Sequence, residues 1–153
     1  MPFSSAPASV GNHSVEAYLG NGHGSVNTKI RRFSATNINV GTAISYVDSA
    51  TDGASFTINE QGLYEIFYLD CEVSFAGIAG VSKNSASLTT AITQIGIGSR
   101  VLFGAAALQG GAMVPMSRTM RLNVGDVIRP HTDGTPNVVN DPYTVFSITK
   151  VAV

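Results

Sequence analysis

An all-β sandwich or barrel is the fold class that this 153-residue sequence predicts, and two observations carry the prediction. The first is period-two alternation: Phe56 and Ile58 fall on one face of a short run, and Tyr64, Ile66 and Tyr68 share a face of the next. The second is regular punctuation. Turn signals at Asn39-Val40-Gly41, Thr51-Asp52-Gly53, Glu60-Gln61-Gly62, Ala76-Gly77, Gly110-Gly111, Val124-Gly125-Asp126 and Asp133-Gly134 separate apolar runs at intervals of roughly 8 to 15 residues.

Taken in order, residues 1–28 are rich in Ser, Gly, Asn and Ala, carry Pro2 and Pro7 and show no sustained period, so they read as a flexible arm. The head domain is then 29–153. Gly20-Asn21-Gly22-His23-Gly24 reads as a hinge, since it lacks the Lys-Ser/Thr ending of a phosphate-binding loop. Lys29, Arg31 and Arg32 form the one basic cluster, flanked by Ile30 and Phe33. It reads as a solvated strand edge or as a docking contact to an acidic surface. In the run from Gly62 to Phe75 the apolar set changes face between Tyr68 and Leu69, which requires a bulge or a strand buried on both sides. Residues 84–92 are too rich in Ser and Thr for a helix and read as loop. Met116, Met120, Leu122 and Val124 alternate with polar residues, and the parity places Arg118 on their apolar face, where it must find a carboxylate, carbonyls or a subunit boundary. The final run, Tyr143 to Val151, is a strand expected inside a sheet.

Charged residues make up 12% of the chain against about 25% for an average soluble domain, while apolar residues make up 44%. Something other than water is expected to cover part of this surface. A formal net charge of −1 gives no drive toward nucleic acid. The first residues lack a basic stretch followed by an apolar core, and no run reaches the roughly 18 apolar residues of a membrane span, so a soluble, cytoplasmically made product is expected. Asn12-His13-Ser14 then reads as a chance match to the glycosylation sequon.

The chemistry-bearing residues point away from an enzyme. Cys71 lies in an apolar strand pattern and has no base partner in view, so it reads as a buried thiol. His13, His23 and His131 are scattered, without metal-ligand spacing. Asp48, Asp52, Asp133 and Asp141 fall in turns, as ordinary turn formers or, jointly, as the oxygens of a calcium site. No cofactor is expected. The acidic pair Glu60 and Glu65 spans a turn and fixes no cleft geometry.

With the strands placed, the pattern over roughly residues 33–153 resembles the complement/tumour-necrosis-factor type of jelly roll. The resemblance rests on Phe56-Thr-Ile58-x-x-x-Gly62-Leu-Tyr64-x-Ile66, on Leu122-x-x-Gly125-Asp126-x-Ile128 and on Phe146-Ser-Ile148-Thr-Lys-Val151. It implies a homotrimer packed around a threefold axis, which would account for the low charge. Candidate trimer-interface residues are Tyr64, Tyr68, Phe103 and Tyr143, with Arg118 paired near a subunit boundary. Lacking a signal peptide, collagen-like stalk and disulfides, the chain is similar to versions found in tailed-phage virions. The implied role is a trimeric capsid cement or decoration protein, assembled in a bacterial cytoplasm and bound to the major capsid protein through Lys29, Ile30, Arg31, Arg32 and Phe33. The alternative is a fibre knob that binds a host cell-surface glycan or receptor. A glycan-processing virion enzyme would need a carboxylate pair, and a cytokine-type ligand would need a secretion signal.

Overall fold

The computed structural model describes residues 11–26, 29–72, 78–105, 112–133 and 141–153. The turns expected at Ala76-Gly77 and Gly110-Gly111 lie outside them. Ten strands are formed: β1 (Ser14–His23), β2 (Arg31–Val40), β3 (Ile44–Ser49), β4 (Gly53–Ile58), β5 (Gly62–Glu72), β6 (Ile78–Lys83), β7 (Arg100–Ala105), β8 (Ala112–Leu122), β9 (Val127–Thr132) and β10 (Asp141–Ala152). They build two five-stranded antiparallel sheets, ordered β2-β1-β10-β5-β8 and β3-β4-β9-β6-β7.

The alternation read from the sequence supplies the inner faces. Tyr64, Ile66 and Tyr68 of β5 meet Phe146 and Ile148 of β10, and Phe56 and Ile58 of β4 close the core from the other sheet. The Tyr46, Phe56, Phe146 and Tyr68 rings form a chain across the sandwich, with successive centroids 4.8, 4.5 and 5.5 Å apart. Such offset aromatic pairs add about 0.5–1.5 kcal/mol each beyond their buried area. The apolar slip after Tyr68 is resolved without a bulge. The β5 ladder with β8 runs unbroken from Gly62 to Glu72, so Phe67 and Leu69 simply face the other side of a strand that is apolar on both.

The expected turns at Gly41, Gly53 and Gly125 all carry glycine with positive φ. Residues 84–99 form an irregular loop ending in one 3-10 turn (Ile97–Ser99). The loop lays Ile92 over β6, where the backbone has room only for glycine. A Cβ on Gly80 would stand 2.6 Å from Ile92 Cγ1 and 2.7 Å from the Leu102 carbonyl oxygen. Gly80→Ala is therefore expected to destabilise by about 1–3 kcal/mol, read as a lower urea midpoint at unchanged slope.

The arm expected over residues 1–28 is corrected over β1; residues 1–10, 27 and 28 lie outside the described residues. β1 lies between β2 and β10, inside a sheet, and Val15 and Ala17 are buried in the core. Among the glycines that suggested a hinge, Gly20 is tightly packed: a Cβ there would meet the Arg31 guanidinium at 2.6 Å and Thr144 Cβ at 2.7 Å. The head therefore includes β1, and the boundary at residue 28 does not hold.

Candidate functional site

Two groups of residues stand out, one on a sheet surface and one between the sheets. The surface belongs to the outer face of the β2-β1-β10-β5-β8 sheet. Because side chains alternate along a strand, the residues between the core positions of β1, β5 and β10 point outward. Cross-strand register aligns Ala35, Tyr18, Val145, Leu69 and Pro115 in one row, and Ile38, Glu16, Ser147, Phe67 and Ser117 in the next. Tyr143 and Met113, 59% and 51% exposed, extend the band beyond Leu69. Tyr18, Phe67, Leu69, Met113, Tyr143 and Val145 thus form an apolar surface band, with Glu16 further along the row of Phe67. Below it lie the hydroxyl residues Ser14, Thr149 and Thr119, with Glu65 among them.

The second group is a polar cluster between the sheets. Arg31 and Asp70 are both fully buried. Arg31 Nε donates to Asp70 Oδ1 at 3.0 Å, and Nη2 lies 3.0 Å from the same oxygen. Nη1 donates to the Gly22 carbonyl at 3.4 Å and Nη2 to the Thr144 hydroxyl at 3.1 Å. The Tyr68 hydroxyl donates to Asp70 Oδ2 at 2.8 Å. The Thr144 hydroxyl lies 2.8 Å from Asp141 Oδ2 and 3.3 Å from Asp70 Oδ1, and accepts the Cys71 N–H at 3.1 Å. Burial pushes the Asp70 carboxyl up, against the Arg31 charge and the two hydroxyls that hold it down. This arrangement ties four strands, β1, β2, β5 and β10, at one end of the sandwich.

The structure corrects the contact role expected for residues 29–33. Arg31 is committed to Asp70, and Ile30 and Phe33 are buried within their own domain. Arg32 is partly exposed and forked onto Asp48 Oδ2, at 3.1 Å from Nε and 2.9 Å from Nη2. Lys29 Nζ donates to the Asp133 carbonyl at 3.4 Å. The physical reason is strand parity: once residue 31 joins β2, Arg31 and Phe33 go inward, and with Ile30 also buried three of the five cannot meet a partner without opening the fold.

The interface residues divide likewise. Tyr64 and Tyr68 are fully buried in the single chain, so they belong to the domain core and are removed from the interface set. Tyr64 donates its hydroxyl to the Glu60 carbonyl at 2.6 Å. Tyr143 is exposed on the apolar band. Phe103 sits on β7 opposite Gly80, and its side chain lies outside the described part. Arg118 shares its face with Met116 and Met120, as the parity required, but β8 is an edge strand and the residue is exposed. Its Nη1 reaches across the gap between the sheets to the Val101 carbonyl at 2.7 Å. The band residues Tyr18, Phe67 and Val145 were missed as surface; the signal was the second apolar face of β5.

Nothing catalytic is assembled among the described residues. Cys71 is a buried thiol outside any disulfide; burial pushes its pKa up, and the Asp141 carboxylate beside it adds to the rise, the opposite of an activated nucleophile. Ser82 Oγ lies 3.1 Å from His131 Nδ1 in a nucleophile-and-base arrangement, but His131 Nε2 donates to the Thr90 carbonyl at 2.6 Å and both residues are sealed from solvent. Glu60 is held by Lys150 Nζ at 2.9 Å, whose hydrogen bond and charge keep its carboxyl below the usual range, while Glu65 faces outward from the sheet. The described residues contain no group of three metal-ligating side chains. Of the turn aspartates, Asp48 is bound to Arg32 and Asp141 to Thr144, and Asp133 accepts the Ile78 N–H and the Thr93 hydroxyl.

No protein-family model matches the chain, and no curated protein matches it. Solved structures do. Murine APRIL superposes with a TM-score of 0.61 at 14% identity, covering 92% of this chain and 100% of that one. GITRL from bushbaby gives 0.56 at 15% identity over 93% and 96% of the two chains, and pika GITRL 0.55 at 13% over 92% and 96%. These are jelly rolls of the tumour-necrosis-factor family, and identities this low speak to the fold alone. The chain has a tumour-necrosis-factor-like jelly-roll fold.

Proposed function

We propose that this chain is a non-catalytic structural head that assembles as a homotrimer and decorates the outer surface of a tailed-phage capsid. The observation that carries the assembly is the apolar band of Tyr18, Phe67, Leu69, Met113, Tyr143 and Val145 on one sheet face. A contiguous apolar face of this kind is the mark of an interaction surface, and a second copy supplies cover wherever it is made. The phage setting rests on the sequence resemblance.

Sedimentation tests the assembly first. The parent is expected as a species of three 15.9 kDa chains, about 48 kDa, at micromolar concentration. Phe67→Glu with Tyr143→Asp, both on the outer face and clear of the core, is expected to yield a folded monomer; a parent that is itself monomeric defeats the reading. Co-sedimentation with capsids stripped of surface proteins then tests decoration. Adsorption to bacterial cells without capsid binding would replace it by the fibre-knob role.

A further inference from the structure

We propose that the end of β1 and the residues just after it, His23–Val26, form an acid-triggered latch keyed by His23. The His23 Nε2 atom is buried and has no hydrogen-bond partner. Directly across the ladder from it stands Arg31. Lys29, and His131 on β9, add to the Arg31 charge in opposing a proton on the ring. The carboxylate nearest Arg31, Asp70 on β5, is committed to it, and Asp141 on β10 is bound to Thr144. A proton added to His23 therefore enters a confined site with cations nearby and no acceptor in reach.

The local backbone is built to open there rather than to transmit the load. Leu19 (φ 59°) and Gly22 (φ 69°) are left-handed, and the ladder to β2 loses register between Gly20 and His23. Just beyond His23, Gly24–Val26 are fastened by three backbone donors: Gly24 N–H to the Ile30 carbonyl (3.2 Å), Ser25 N–H to Ala50 (2.9 Å) and Val26 N–H to Thr51 (3.0 Å). Swinging the imidazolium into water releases these three and leaves the core intact.

The direction in pH follows. Burial first, then Arg31, Lys29 and His131, lower the His23 pKa from 6.5 to about 3. A group whose folded value is depressed favours the closed form in full above the unfolded value, and that support drains as pH falls from about 6.5 toward about 3. At pH 5 the closed form should be weakened about 30-fold relative to pH 7.5.

Hydrogen exchange by NMR at pH 7.5 and pH 5, corrected for intrinsic rates, tests it. Protection at Gly24, Ser25 and Val26 is expected to fall about 30-fold at pH 5, with Phe146 and Ile148 unchanged. His23→Phe, or His23→Gln if the ring variant misfolds, should flatten the dependence. Protection independent of pH in the parent, the same loss in the variant, or a His23 ring that titrates near 6.5 would each overturn the latch.

Discussion

Asp70→Ala is expected to lower stability by about 3–5 kcal/mol, because it takes the carboxylate from a fully buried guanidinium that also donates to the Gly22 carbonyl and the Thr144 hydroxyl. Arg31→Met should cost about as much, for the converse reason. Replacing both at once, Arg31→Met with Asp70→Leu, should recover most of the loss, since a well-packed apolar pair of similar volume dispenses with two desolvated charges. Urea midpoints at fixed protein concentration read all three, the concentration held because assembly shifts apparent stability. A single Asp70→Ala variant within about 1 kcal/mol of the parent would show that the cluster is wetter than its geometry implies.

The second large effect concerns the amino-terminal strand. A chain starting at residue 29 is expected to be insoluble or unfolded, whereas one starting at residue 11 retains β1 entire. Without β1, the ladders to β2 and β10 both lose their partner, Val15 and Ala17 leave holes in the core, and Arg31 loses the Gly22 carbonyl. Several unpaired backbone groups on each side, at about 1–3 kcal/mol apiece, exceed the whole stability of an ordinary domain. Circular dichroism and solubility of the two truncations decide the matter; a soluble, β-rich 29–153 chain would show that β1 is an appendage after all.

How much of this was legible in the sequence follows from what each signal reports. Period-two alternation reports which side chains share a face, so β4, β5, β8 and β10 could be placed, along with the turns at Gly41, Gly53 and Gly125. It says nothing about which of two faces is inside. Tyr64 and Tyr68 were therefore assignable to core or interface alike, and it took the packing against Phe146 to assign them to the core. β1 was hidden because its inward positions are Val15, Ala17, Gly20 and Gly22, small residues chosen for close neighbours that lie far along the chain. Composition reads such residues as flexible. The Arg31 to Asp70 pair was hidden for a related reason: a basic run looks solvated until a carboxylate 39 positions away is found beside one member.

The first described residues and the last strand also share a neighbourhood. Ser14 stands opposite Thr149, and the Lys150 N–H donates to the His13 carbonyl at 3.0 Å, so Gly11 and Val153 leave the molecule at the same pole. Anything joined at Gly11 or Val153 would leave on that side, away from the opposite pole with the β3–β4 corner. A chain trimmed to begin at Gly11 is thus suited to circular permutation through a short bridge from Val153.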